Sequence, residues 1–394
     1  MANPRGDRIV VTKPLRNAIV NGHPWLYDRA LNLPSHLRAG DVVNLADEQG
    51  PLATVYVDPG SPIVARVLEV PAVDATAAIS PAWAQRRAQR AAARRSHDAL
   101  LRDCTGRRLV HGEADGCPGL VIDQYGDTIV VVYDGSAANA FWSARLDAVL
   151  DGLKAGGADF VNVWLKGERG VTEAHAYRGS KPPLITINEG AARFAVDVVN
   201  GQKTGFFLDQ RENRRLVGRL APGARVLNLY CYTGGFSVHA ALGGASAVTS
   251  VDIAPRAIDA VAANFALNGL TGSEHKHVCM DGFDFLAKAR NSRQTWDLVI
   301  ADPPSFAPSE RAKPAALAAY KRLLLECIQV VAPGGSVALA SCSSHITEVD
   351  LVDLCAKHVP PEELRAVLSA ASDHPVIPGF PEGRYLKFLL LGLS

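Results

Sequence analysis

From Ala192 onward, apolar runs of strand length alternate with stretches of helical period, and this alternation limits the fold more than any other feature. The runs are Arg225–Leu229, Ala247–Val251, His275–Cys279, Asp297–Ala301 and Ser336–Ala340, with helical stretches such as Arg256–Asn268 and Ala315–Val331 between them. A Pro333-Gly334-Gly335 turn precedes the fifth run, and Arg365–Ala370 and Tyr385–Leu391 read as two further strands. Parallel strands need crossover connections long enough to hold a helix, so βαβα order predicts a mostly parallel, doubly wound sheet.

The chain ahead of this region divides in three. Up to about Val73, short runs (Arg8–Val11, Asp41–Leu45, Leu52–Val57, Ile63–Leu68) are separated by Gly and Pro punctuation, which predicts a small β barrel. Pro81 to Arg102 is an Ala- and Arg-rich helical stretch. Between Cys104 and Glu189 a hairpin is expected around Tyr125-Gly126-Asp127, then a helix over Ala137–Leu153 and a strand over Phe160–Leu165, an α+β unit. The resulting division is 1–75, a helical linker 76–103, 104–190 and 191–394.

Net charge is only +1 but unevenly spread. Residues 1–110 hold 15 Lys and Arg against 10 Asp and Glu, a surplus of +5, which leaves −4 for the remainder. Arg86, Arg90 and Arg94 recur at four-residue spacing, and Arg87 and Arg95 widen the same side of the helix. Such a stripe is either a solvated face or a surface for phosphates. No apolar run approaches the roughly 20 residues that span a bilayer, and residues 1–13 lack the apolar stretch of a secretory signal. A cytoplasmic protein is expected. The seven cysteines are scattered without a CxxC pair, which argues against a zinc site or a disulfide framework.

In doubly wound sheets, ligands bind beyond the carboxyl ends of the strands. The first run ends in Asn228-Leu229 and continues Tyr230-Cys231-Tyr232-Thr233-Gly234-Gly235-Phe236. This is not GxGxxG, which disfavours a dinucleotide; it resembles the nucleoside-binding loop of class I methyltransferases. Asp252 ends the second run 18 residues after Gly234, near the interval expected of an acid that bonds ribose hydroxyls. After the third run, Asp281-Gly282-Phe283 offers a carboxylate for an adenine amine and an aromatic ring for its face; Asp281 equally suits a helix N-cap, and the two roles are compatible.

The fourth run delivers Asp302-Pro303-Pro304-Ser305, a loop stiffened by two prolines, and the fifth delivers Ser341-Cys342-Ser343. A thiolate that adds to C6 of a pyrimidine makes C5 nucleophilic enough to accept a methyl group. Asp302 is the natural partner, steadying the ring through N3 or the exocyclic amine. The alternative for Cys342 is a buried structural thiol.

Taken together, these loops resemble the bacterial 23S ribosomal RNA (cytosine-5) methyltransferases that carry an N-terminal PUA domain. Further likeness lies in Gly22-His23-Pro24-Trp25-Leu26-Tyr27, in His111-Gly112-Glu113-Ala114-Asp115-Gly116 and in Gly201-Gln202-Lys203-Thr204-Gly205-Phe206-Phe207-Leu208-Asp209-Gln210-Arg211. The resemblance spans essentially the whole chain. It implies a PUA β-barrel domain, a central α+β domain and a Rossmann-like, seven-stranded class I methyltransferase domain. It also implies S-adenosyl-L-methionine as cofactor, Cys342 as attacking thiol, Asp302 as its assistant, and 5-methylcytosine in ribosomal RNA as product. The segment Lys203–Arg211 would lie beside the cofactor, with Asn200-Gly201 as a hairpin turn. Phe206 and Gln210 are candidate cofactor contacts and Lys203 a candidate RNA contact. Arg211 suits either ligand or a salt bridge to a helix.

Some RNA cytosine-5 enzymes carry a second cysteine after Asp-Pro-Pro; here that place is Ser305. Two other readings stand beside the covalent route. One is an RNA base N-methyltransferase, which uses an Asp-Pro-Pro loop and no thiol. The other is a non-catalytic RNA-binding assembly factor. The family tends to dimerise, and a homodimer is compatible with it. No metal site is expected.

Overall fold

The computed structural model describes residues 8–74, 78–168, 174–180 and 184–393. The boundary expected at 75/76 lies outside the described residues. By its contacts the chain forms two compact units. The first comprises 1–185, 196–206 and 372–383; the second comprises 186–195, 207–371 and 384–394.

The first unit holds two five-stranded sheets. The N-terminal one consists of β1 (Arg8–Val10), β2 (Trp25–Tyr27), β3 (Val42–Asp47), β4 (Gly50–Val57) and β5 (Ile63–Glu69), in the order β1-β3-β4-β5-β2. An isolated antiparallel bridge joins Val11, just after β1, to Leu31, beyond the 3-10 turn that follows β2. Its core is aliphatic, with Leu26, Leu45, Val55 and Val57 fully buried.

The second sheet contains β6 (Gly106–His111), β7 (Leu120–Tyr125), β8 (Thr128–Tyr133), β9 (Asn162–Glu168) and β10 (His175–Arg178). The hairpin around Gly126 is present as β7–β8. The single helix expected over Ala137–Leu153 is two helices, Ser136–Ser143 and Leu146–Ala155.

The Ala- and Arg-rich helix, Pro81–Ser96, is not a linker. Ser80 caps it and Pro81 supplies a preset φ at its first turn. Trp83, Ala84, Ala88, Ala91 and Ala92 are buried in the same core as Leu120, Trp142 and Leu150. Small side chains let this helix approach Leu146–Ala155 closely. A Cβ at Gly152 would lie 2.2 Å from the Gln85 carbonyl oxygen, and one at Gly156 2.5 Å from that of Gln89.

The basic stripe is narrower than its composition suggested. Arg95 is buried, donating to Asp115 at 2.7 Å and to the Arg108 carbonyl at 3.0 Å. Arg87 donates to Glu69 at 2.6 Å. Arg86, Arg90 and Arg94 remain exposed, although Arg94 also reaches Asp115 at 2.6 Å.

Two motifs singled out in the sequence meet here as structural staples. Glu113 accepts from Trp25 Nε1 at 2.8 Å and from Arg66 at 2.6 Å, and Asp115 accepts the His111 N–H at 2.6 Å. Charged groups buried in this way must be paired, and these are. Asn200-Gly201 makes no hairpin. Asp197 Oδ1 accepts the N–H groups of Val199 and Asn200, Gly201 donates to the Asp197 carbonyl, and the next element is the 3-10 turn Leu208–Gln210 rather than a strand. The hairpin instead joins β11 (Ile185–Glu189) to β12 (Ala192–Val196).

The second unit is built on a seven-stranded sheet of β13 (Arg225–Leu229), β14 (Ala247–Asp252), β15 (His275–Cys279), β16 (Trp296–Ala301), β17 (Val331–Ser341), β18 (Leu364–Leu368) and β19 (Lys387–Gly392). Its order is β15-β14-β13-β16-β17-β19-β18. The neighbouring pairs from β15 to β17 are parallel, whereas β19 runs antiparallel to both β17 and β18. The turn at Gly334 (φ 76°) lies inside the span of β17, where pairing with β16 shifts register. This is the α/β architecture that the alternating pattern demanded. Among the described residues, no helix is long and apolar enough to cross a membrane.

Candidate active site

Strand order reverses between β13 and β16, so a crevice opens at their carboxyl ends. Register aligns those ends: Leu229 pairs with both Val251 and Ala301, and Ala301 pairs with Leu339. Asp302 therefore leaves the strand between the one that carries Tyr230–Gly235 and the one that carries Cys342. Neighbouring strands lie about 4.8 Å apart.

The loop after β13 is held in a costly backbone conformation. Tyr230 (φ 57°) and Tyr232 (φ 48°) are left-handed, rare for bulky side chains and typical of functional loops. Gly234 (φ 82°) turns the chain into the helix Gly235–Leu242. Asp252 fixes the loop from β14, accepting the Tyr232 N–H at 2.9 Å and the Ala254 N–H at 3.0 Å. Asn264 donates to the Thr233 carbonyl at 2.8 Å. The buried hydroxyls of Tyr230 and Thr233 have no hydrogen-bond partner among the described residues. Directly after Asp252, Ile253 leaves an apolar side chain 67% exposed. Orphaned hydroxyls, a carboxylate and an exposed apolar surface make a donor set that suits a nucleoside cofactor. The sequence reading did not include Ile253, although an apolar residue directly after the strand-end acid was visible.

Asp281 caps the helix Gly282–Asn291, its Oδ1 accepting from Phe283 N at 2.8 Å and Asp284 N at 3.2 Å. A Cβ at Gly282 would meet the Tyr230 ring at 2.9 Å, so a larger residue there would have to push the ring aside. Phe283 is half-buried with the Arg322 guanidinium 4.3 Å above its ring.

Four of the expected cofactor contacts have buried side chains. Asn228 is buried beneath the loop and donates to Ser237 Oγ at 2.9 Å, locking strand to helix. Phe236 is buried against Phe388, with ring centroids 5.8 Å apart. Phe206 belongs to the first unit, buried, its N–H bonded to Tyr125 Oη at 3.3 Å. Arg211 is fully buried, 4.0 Å from Glu189 and 3.8 Å from Glu212. Lys203 is exposed and left-handed (φ 51°). Gln210 is buried and donates from Nε2 to Asp302 Oδ2 at 2.9 Å, while Asn213 donates to Gln210 Oε1 at 2.6 Å.

Cys342 is half-buried, in contrast to Cys104, Cys117, Cys231, Cys327 and Cys355, which are buried. Its neighbours clamp the turn. Tyr320 Oη donates to Ser341 Oγ at 2.9 Å, and the Ser305 and Ser343 hydroxyls lie 2.6 Å apart. Burial raises the Tyr320 phenol to about 12, and the charges of Cys342 and Asp302 push it the same way, so both groups act on one ring. Lys387 pairs across the sheet with Ser341 and is buried. The sequence reading passed over Tyr320 and Lys387. A lone lysine opening the apolar run Phe388–Leu391 was the available signal for the latter. Geometry of this kind permits nucleophilic addition by sulfur beside a carboxylate and a nucleoside cleft.

A family model described as S-adenosylmethionine-dependent methyltransferase matches residues 171–389, and one described as PUA-like domain matches residues 9–69. A ribosomal RNA large subunit methyltransferase of Deinococcus radiodurans is 36% identical, with 98% of this chain and 97% of that protein covered. The ribosomal RNA large subunit methyltransferase I of Klebsiella pneumoniae is 34% identical, with 96% of each covered. A crystal structure of a protein assigned as a methyltransferase, complexed with S-adenosylhomocysteine, gives a TM-score of 0.84 at 26% identity. That match covers 98% of this chain and all of the other.

Proposed function

The chain belongs to the S-adenosylmethionine-dependent methyltransferase family, as a large-subunit ribosomal RNA methyltransferase with an N-terminal PUA-like domain, and from that premise we propose that it methylates C5 of a cytosine through a covalent Cys342 adduct. The observation that carries this reading is the half-buried thiol at the carboxyl end of β17, next to the strand that presents Asp302.

Tyr230, Thr233, Asp252, Ile253 and Asp281 surround the crevice that would take the cofactor. When bound, S-adenosylmethionine supplies a methyl group on a positively charged sulfur. Cys342, as thiolate, gives its electron pair to C6 of the cytosine, and the C5=C6 pair moves to C5. Asp302 steadies the ring by accepting from the exocyclic amine or, when protonated, by donating to N3. Gln210 and the two prolines hold that carboxylate in place. Once C5 is methylated and has lost its proton to a base, the C–H pair restores the double bond and Cys342 leaves with the electrons that joined it to C6.

The target base must be exposed or flipped out of its stack, at a cost of a few kcal/mol. Arg86, Arg90, Arg94 and Lys203 are the proposed phosphate contacts that offset it.

RNA substituted with 5-fluorocytidine tests the covalent step, because fluorine at C5 leaves no proton to remove. The expected result is a denaturant-resistant protein–RNA complex in the wild type and none in Cys342→Ala. Near-full methylation by Cys342→Ala would discard the covalent route in favour of N-methylation. Mass spectrometry of the modified nucleoside identifies the methylated atom.

A further inference from the structure

The first residue of β19 is a lysine in an otherwise apolar strand. Lys387 is 2% exposed and lies directly across the sheet from Ser341, the residue before Cys342. Its Nζ donates to the Ser343 carbonyl at 2.5 Å and to the Tyr385 carbonyl at 2.9 Å. An ammonium has three N–H donors; one is taken by the carbonyl of Ser343, the residue after Cys342, and a second by the Tyr385 carbonyl just ahead of β19. A buried lysine without a carboxylate in direct contact is expensive, and such groups persist where their charge has a use.

We propose that Lys387 is a positioning residue for Cys342, its ammonium holding the sulfur as the thiolate that attacks the base. This rests on the covalent reading above. The S–H proton leaves to solvent through the open side of Cys342, the electron pair stays on sulfur, and Lys387 keeps its own proton. The two carbonyl acceptors favour the charged lysine and fix it beside the turn.

Burial lowers Lys387 to about 8, while Cys342, then Asp350 and Glu348, push it back up. Cys342 is thus foremost among the groups that favour the charged lysine. Other charged or titratable groups around the turn are Asp302 on the β16 loop, His345 just beyond the turn, which pairs with Glu310 at 3.3 Å, and Lys313, which pairs with Asp350 at 2.8 Å; Tyr320 faces it as a neutral phenol. The carboxylates raise a thiol and the ammonium lowers it, so removing the ammonium must raise Cys342.

Iodoacetamide labelling of the full chain across pH, read by peptide mass spectrometry, tests this without methyl transfer. In the wild type the labelling midpoint of Cys342 should lie below that of exposed Cys279. Lys387→Met should raise the Cys342 midpoint by about one pH unit and slow its labelling at pH 7 roughly tenfold, with Cys279 unchanged. Lys387→Arg should restore most of the wild-type profile. S-adenosylhomocysteine binding checks that the variants are folded. Should Lys387→Met not fold, the wild-type comparison of the two cysteines decides alone. A Cys342 midpoint at or above that of Cys279, or one unmoved in a folded Lys387→Met, overturns the proposal. Absence of the 5-fluorocytidine complex with a shifted midpoint would instead refute the covalent reading and leave the charge pairing standing.

Discussion

The hydroxyls of Ser305 and Ser343 lie 2.6 Å apart, joining the Asp-Pro-Pro loop to the turn that carries Cys342. Ser343 Oγ also accepts the Ala307 N–H at 3.2 Å. Ser305 therefore fills with a tether the place where some related enzymes have a second cysteine. Ser305→Ala removes one partly buried hydrogen bond, worth about 0.5–1 kcal/mol, and frees the turn. We expect a small drop in melting temperature, a severalfold fall in kcat and an unchanged KM for S-adenosylmethionine. An unaltered kcat in steady-state assays would show that the tether has no part in presenting the thiol.

Gln210 approaches the same loop from the other side, and its partner Asn213 orients the amide. Gln210→Glu exchanges a donor for a second carboxylate beside Asp302. Two carboxylates in contact hold a proton between them, which raises one of their pKa values. The acid limb of the kcat profile should move to higher pH, and kcat at pH 7 should fall by about 10- to 100-fold, from a lost hydrogen bond of about 1–3 kcal/mol. Gln210→Ala should lose activity without moving the limb. Superimposable pH profiles for both variants would remove Gln210 from the support of Asp302.

The sheet was legible because buried parallel strands are continuous apolar runs. Arg225–Leu229 and His275–Cys279 stand in the structure as the sequence suggested. The residues that end each strand were legible for the same reason, since the carboxyl edge is fixed once the strands are. What escaped is long-range pairing. Arg87 and Arg95 share a helix with Arg86 and Arg90, and only Glu69 and Asp115, remote in sequence, turn them inward. Asn228 and Phe236 sit inside the expected loop motif, but the strand pleat and the helix start face them into the core. Lys387 was hidden by its neighbours, because an apolar run predicts burial and says nothing about what a buried charge serves.

Glu189 ties the β11–β12 hairpin to the catalytic unit's helices. It is buried, with Arg214 at 2.8 Å and His239 at 2.8 Å. Burial pushes its carboxyl up, but Arg214 and His239 outweigh that and hold it well below the ordinary 4.5. A carboxyl depressed on folding contributes stability that is present above its unfolded pKa and is lost as pH falls toward the folded value. Urea midpoints should therefore decline below about pH 4.5 in the wild type, and less steeply in Glu189→Gln. Arg214→Met strands a buried charge and should cost about 3–5 kcal/mol at pH 7. Equal acid limbs for wild type and Glu189→Gln would contradict the pairing.

Arg86 and Arg90 are exposed on the Pro81–Ser96 helix, whereas Arg94 is shared with Asp115. If this face meets RNA phosphates, each unpaired arginine releases about 0.7–0.9 of a counterion on binding. Arg86→Ala with Arg90→Ala should weaken RNA binding and reduce the slope of log K against log salt by about 1.5. Adding Arg94→Ala should change the slope by less than either of the others, because Arg94 shares the single charge of Asp115 with Arg95 and is only partly neutralised. S-adenosylhomocysteine binding should not change in either variant, since the helix packs into the first unit's core. A slope equal to wild type in filter-binding titrations would take this helix out of the RNA path, and Lys203 and the N-terminal sheet would be the surfaces to neutralise next.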